Sequence, residues 1–283
     1  MSELIINKKS DLYPIRDKDK ITKLVLNCEV NVRLLKGFNN VRELIIDNSY
    51  TSFKKNLNET TINDLSFKNS IEKLTYIDIE TLGKKYNKKK KGYSKFDYYN
   101  LLLPNLKSLK LTFKEDTHNI SNIDITSSYL SNLEKLEELI IDFGYFEDDA
   151  VHLNSTVNVP KSLKNIIFKF YDKEYNIKFD YEVNDISYIS FSRRDKKIYL
   201  RYNNDNVKTR VEIDLITDEI MKVNELTKLN YKVLDNNTLF IPAYITNISY
   251  ISKDFINKIE HLSISIDLLK NGNFIKKSLI III

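Results

Sequence analysis

Three large apolar residues, spaced by three and then by two, return six times between residues 21 and 168. The copies are Ile21-Leu24-Leu26, Val41-Leu44-Ile46, Ile71-Leu74-Tyr76, Leu106-Leu109-Leu111, Leu136-Leu139-Ile141 and Leu163-Ile166-Phe168. Their first residues lie 20, 30, 35, 30 and 27 positions apart, from 21 to 41, 71, 106, 136 and 163. Weaker copies follow at Ile186-Ile189-Phe191, Leu226-Leu229-Tyr231, Ile245-Ile248-Tyr250 and Ile259-Leu262-Ile264. A returning unit of this size decides architecture before local propensity does, because one copy cannot bury its apolar face alone and stacked copies can. An Ile- and Leu-rich chain also yields such triplets by chance, so the argument rests on residues 21–170.

The last two apolar places of each copy are two residues apart, as on one face of a strand, and the first sits where the chain turns in. Stacking the strands in parallel then buries three apolar columns. The stretches Phe96–Leu103, ended by Pro104, and Tyr129–Leu136 have the spacing of amphipathic helices and are expected to cover the far side. Beyond Lys164 the pattern changes. Lys197–Tyr202 and Val207–Leu215, separated by Asn203-Asn204-Asp205-Asn206, read as two strands joined by a polar turn. A short helix is expected over Asp218–Leu226 with Thr217 as its N-cap. The run Leu279–Ile283 reads as a last strand, too short to cross a membrane.

The phrases Val41–Asn48, Leu106–Leu111 and Leu136–Ile141 resemble the leucine-rich-repeat family. The resemblance implies an α/β solenoid with a parallel sheet on its concave side, formed by irregular repeats and β-richer in its C-terminal half. It implies one domain over 1–283: a cap over 1–20, the best repeats over 21–170, then degenerate repeats, the hairpin of 197–215 and a C-terminal cap over 171–283. Val159–Ile166 and Ile241–Ile248 are similar to the Pro-containing variants of slime moulds and giant viruses. The richness in Asn, Lys, Ile and Tyr is similar to the leucine-rich-repeat gene families of insect poxviruses, which implies a viral protein acting on a host protein. One departure is plain. The family's Asn or Cys ladder, three places after the third apolar residue, is replaced by Glu29, Ser49, Ile79, Lys114 and Gly144, so irregular curvature is expected.

Function is expected to be non-enzymatic binding of a protein on the concave face. The residue between the second and third apolar places alternates to that face, giving the column Val25, Ile45, Thr75, Lys110, Ile140 and Ile167. Four aliphatics there make an apolar stripe, with Glu43, Asp47, Glu138 and Asp142 as a polar rim. The alternatives for the same column are that β-branched residues simply suit strands, or that the later β segments fold over this face.

Other chemistry finds little support. The five glycines stand apart, so no phosphate loop or nucleophile elbow exists, and no catalytic residue, metal site or cofactor is expected. His152 follows Glu147-Asp148-Asp149, which reads as an acidic surface loop. Cys28, the only cysteine, reads as a buried small hydrophobe in a reducing cytoplasmic compartment, or the host's cytoplasm for a viral protein. The net charge of +5, from 44 basic and 39 acidic side chains, names no partner. The alternative function is nucleic-acid binding through Lys84–Lys95, where seven lysines interleave with Tyr86 and Tyr93; the same run also reads as a solvated loop or a nuclear-localisation signal. A monomer with no membrane segment is expected.

Overall fold

Leu44 and Ile46 are buried while Glu43, Ile45 and Asp47 between and beside them are half-buried, the two-residue alternation of a strand lying on a core. The same alternation recurs along the computed structural model. It describes residues 2–28, 30–47, 62, 64–77, 101–112, 130–143, 156–192 and 194–226, with the strand backbones at 94–96, 123–125, 152–153, 238–240, 261–263 and 280–282.

The strands in chain order begin with β1 (Ser2–Ile6), β2 (Ile21–Leu26), β3 (Glu43–Asp47), β4 (Lys73–Ile77), β5 (Ser94–Phe96) and β6 (Ser108–Thr112). Next come β7 (Ile123–Ile125), β8 (Glu138–Asp142), β9 (His152–Leu153), β10 (Val157–Asn158), β11 (Asn165–Phe170) and β12 (Lys173–Lys178). The rest are β13 (Asp185–Ser192), β14 (Lys197–Asn203), β15 (Val207–Asp214), β16 (Ile220–Leu226), β17 (Thr238–Phe240), β18 (His261–Ser263) and β19 (Ile280–Ile282). Strands in sheets dominate, and helix among the described residues amounts to short 3-10 turns and isolated helical residues.

One sheet runs β1-β2-β3-β4-β6-β8-β11-β12, parallel throughout except for the antiparallel last pair. Its register stacks like residues on like. Leu4, Leu24, Leu44, Leu74, Leu109, Leu139, Ile166 and Ile177 form one inward column. Ile6, Leu26, Ile46, Tyr76, Leu111, Ile141, Phe168 and Tyr175 form the next. Parallel stacking brings identical positions of successive copies together, so an apolar place in each copy becomes a continuous dry row.

The chain enters these strands through three-residue turns. Leu130, Leu133, Leu136 and Leu139 are all buried at a spacing of three, with the Leu133 N–H donating to Leu130 C=O and the Leu136 N–H to Leu133 C=O. Leu106 on Leu103, Leu163 on Pro160 and Phe38 on Leu35 close the same turn. This corrects the helix expected over Tyr129–Leu136, within its described residues. Only residues 130 and 131 of Tyr129–Leu136 are helical among those described, because a buried residue every third place suits a 3.0-residue turn better than a 3.6-residue one. Of Phe96–Leu103, Phe96 ends β5, and Leu101 and Leu103 are buried around an exposed Leu102 in non-helical chain; residues 97–100 lie outside the described residues.

Side chains bridge these turns just before the strands. Ser70 Oγ donates to Val41 C=O and Ser162 Oγ to Leu136 C=O, each at 2.8 Å. Asn40 and Asn105 amides reach the carbonyls of Asp19 and Asn69 at 2.7 and 2.6 Å. These bonds tie one copy to the next on the entry side of the sheet.

The second large sheet is antiparallel, β10-β13-β14-β15-β16, with β9 also on β13. β14 and β15 pair from Lys197–Asp214 to Asn203–Lys208, the hairpin that the polar turn predicts; Asn204 Oδ1 caps it by accepting from the Asn206 and Val207 N–H groups. Two expectations fail here. The helix over Asp218–Leu226 is instead β16, because Asp214 Oδ1 accepts from the Ile216 and Thr217 N–H groups and turns the chain back, with Asp218 left-handed at φ 60°. The triplet Ile186-Ile189-Phe191 is buried but lies on antiparallel β13, so it is no further copy of the parallel unit.

The two sheets share one core. Phe143 stacks between Phe168 of the first sheet (6.0 Å) and Phe191 of the second (5.2 Å), and Phe179 lies 4.6 Å from Tyr202. The strands β17, β18 and β19 form a small parallel sheet, and β5 pairs with β7. Of the weaker triplets, Leu262 lies on β18 and Leu226 ends β16; Ile245–Tyr250 falls outside the described residues. Among the described residues no helix is long and apolar enough to cross a membrane.

Candidate partner-binding face

The outward side of the parallel sheet carries three columns, built by the same register that stacks the core. The middle one reads Ile5, Val25, Ile45, Thr75, Lys110, Ile140, Ile167 and Asn176. The expected stripe is therefore one physical row. Val25, Ile45, Thr75, Lys110 and Ile140 are half-buried, as side chains standing on an open sheet face should be. Ile167 departs from this expectation: it is only 5% exposed, a core residue and not an accessible contact. Its neighbours in the row, Ile140 and Asn176, are half-buried and exposed, so the burial is confined to that one place.

The flanking columns carry several of their charges in pairs. Glu3, Lys23, Glu43 and Lys73 lie side by side across β1 to β4, and the Lys23 ammonium bridges Glu3 at 3.1 Å and Glu43 at 3.7 Å. Hydrogen bonding to Glu3, then the charge of Glu43, raises the Lys23 pKa above its ordinary value. Further along, Glu138 accepts from Ser108 Oγ at 2.8 Å, and Lys110 reaches out of the middle row to Asp142 at 2.7 Å. On the other flank Asn27 donates to Asn7 at 2.9 Å, and Asp47 stands half-buried beside Ile77. The rim residues Glu43, Asp47, Glu138 and Asp142 thus lie on the flanks of the middle row.

No family model, curated protein or solved structure significantly matches the chain.

Ile5 and the pair Asn7–Asn27 belong to this face and were missed because residues 1–20 read as a cap. The signal was present: Glu-Leu-Ile-Ile occurs at 3–6, at 43–46 and at 138–141, and all three are strands of one sheet in one register. Cys28 is half-buried against the core edge, less enclosed than expected.

Among the described residues no group of three or more His, Cys, Asp or Glu could hold a metal ion. His152 lies on β9 opposite Ser190, and Glu147–Asp149 fall outside the described residues. The lysine run Lys84–Lys95 reaches the described residues only at the β5 backbone. A connected polar cluster joins the second sheet to the segment between β12 and β13. There Tyr181 meets Thr209 at 2.6 Å, Thr209 donates to Asn224 at 2.7 Å, Asn224 donates to Asp180 at 3.0 Å and Lys222 pairs with Asp180 at 2.6 Å. Each member holds the next, which suits a structural network that satisfies buried polar groups.

Proposed function

We propose that this chain is a non-enzymatic, leucine-rich-repeat-type binding protein of the cytoplasm that presents the outward face of its parallel sheet to a protein partner. The observation that carries the reading is the row Val25, Ile45 and Ile140: aliphatic side chains in one register, half-accessible, with Lys23, Glu43, Lys110 and Asp142 beside them held in ion pairs. Burying such a row removes apolar surface from water and can leave those ion pairs in place. A charged ligand would instead call for rows of one sign. The repeat reading rests on the parallel order, the stacking of equivalent places and the turn-side bridges.

The test is capture of partners from the native cell by the intact protein, identified by mass spectrometry, beside the double variant Ile45→Ser with Ile140→Ser. The principal protein should be lost from the double variant while its unfolding midpoint stays near that of the parent. Retained capture, or recovery of nucleic acid in place of protein, overturns the reading.

A further inference from the structure

The first sheet has two edges, and they differ. Beyond β12 lies the second sheet: Lys222 Nζ donates to Lys178 C=O at 3.0 Å, and Lys173 Nζ meets Asp218 at 2.7 Å. Across β1 no strand pairs among the described residues.

In parallel pairing a residue's N–H and C=O point to the same side, and alternate residues point to opposite sides. Ile6 C=O accepts from the Asn27 N–H at 2.9 Å and Ser2 C=O from the Thr22 hydroxyl at 3.5 Å. The groups of Ser2, Leu4 and Ile6 therefore point to β2, and those of Glu3, Ile5 and Asn7 point away. At Asn7 the outward N–H is taken by the Asp11 carboxylate at 2.9 Å. Glu3 and Ile5 are left to present their N–H and C=O groups along the edge.

The side chains show what fits there. The flank alternates Glu3, Lys23, Glu43, Lys73, so its continuation beyond Glu3 is a basic residue. The inward column is likewise unfinished, since Leu24 and Leu44 are fully buried and Leu4 is only partly so. Ile5 is 48% exposed at the end of its row. A second copy of β1 offers Glu3 no basic partner: antiparallel about Leu4 or Ile5 it sets Glu3 against Ile5 or Asn7, and in parallel or antiparallel about Glu3 it sets Glu3 against Glu3. Like charges directly opposite each other destabilise a sheet.

We propose that the β1 edge takes up an extended segment of a partner protein as an added parallel strand. The segment carries Lys or Arg opposite Glu3, an aliphatic residue opposite Leu4 and another opposite Ile6. Backbone bonding supplies the adhesion and the alternate side chains the selection. The chain's own β2, Lys23-Leu24-Val25-Leu26, shows the pattern.

The probe is an acetylated, amidated and fluorescently labelled peptide of residues 20–27, titrated into the full-length protein and read by anisotropy. Saturable binding is expected, weakened about tenfold by Lys23→Glu in the peptide. Glu3→Lys in the protein should reverse that preference, and N-methylation of the peptide's edge-facing amides should abolish binding. Glu3 also pairs with Lys23 at 3.1 Å, so the unfolding midpoint of Glu3→Lys is measured beside the parent's, and Glu3→Gln, which avoids two adjacent lysines, should lose the preference between the two peptides. The double variant Ile45→Ser with Ile140→Ser should bind the peptide as the parent does, which separates this edge from the outward face. Absence of saturable binding, no reversal in the charge swap, or protein self-association dissolved by Glu3→Lys overturns the proposal.

Discussion

Leu109 and Leu139 show how much one place in the repeating unit carries. Each is fully buried and paired with its equivalents on both neighbouring strands, so truncation removes contacts on two sides at once. Leu109→Ala or Leu139→Ala should cost about 2–5 kcal/mol, through lost transfer energy and the cavity left behind. Two residues earlier, Lys107 and Glu137 make exposed ion pairs with Glu72 and Lys164 at 3.2 and 3.1 Å. Such pairs are worth at most about 1 kcal/mol, so Lys107→Ala and Glu137→Ala should stay within that range. Urea unfolding of the four variants checks the register, and equal losses at both kinds of position would overturn it.

Between elements, a clasp joins the hairpin turn of β15–β16 to β12. The Asp218 carboxylate accepts Lys173 Nζ at 2.7 and 2.8 Å and Tyr175 Oη–H at 2.7 Å. Hydrogen bonds from Lys173 and then Tyr175 hold its pKa below the ordinary carboxylate value, while burial raises that of the Tyr175 phenol. A folded-state pKa below the unfolded one, about 3.9 for Asp, means the stabilisation is fully present above that value and is lost as pH falls through the folded one. Asp218→Asn should therefore be less stable than the parent at neutral pH, and the gap should close as pH drops below about 4. Denaturant midpoints of both proteins from pH 7 to pH 3 measure this. A gap that does not change with pH would show that the turn's geometry, and not the clasp, sets the difference.

At the scale of the whole molecule, Phe191 of the antiparallel sheet lies within 5.2 Å of Phe143 and 5.0 Å of Phe170, so the two large sheets are expected to unfold together. Phe191→Ala should cost about 3–5 kcal/mol. Amide exchange in β2, β3 and β8 should quicken along with that in β14 and β15. Protection retained in the parallel strands would mean two independent cores. What the sequence determined by itself is the content of each strand of the parallel sheet from β2 to β11: the spacing of three then two names the inward residues, and period-two alternation then names the outward ones. The hairpin of β14 and β15 was equally legible, because a polar turn between alternating runs is a local signal. Tertiary structure alone decided the remainder. Tyr129–Leu136 carries a spacing shared by the α-helix and by successive three-residue turns, and stacking against neighbouring copies selected the turns. Asp218–Leu226 became β16 because pairing with β15 outweighed a local cap. Ile167, identical in pattern to Ile140, is buried all the same, since exposure depends on what lies across a face and no property of one strand encodes that.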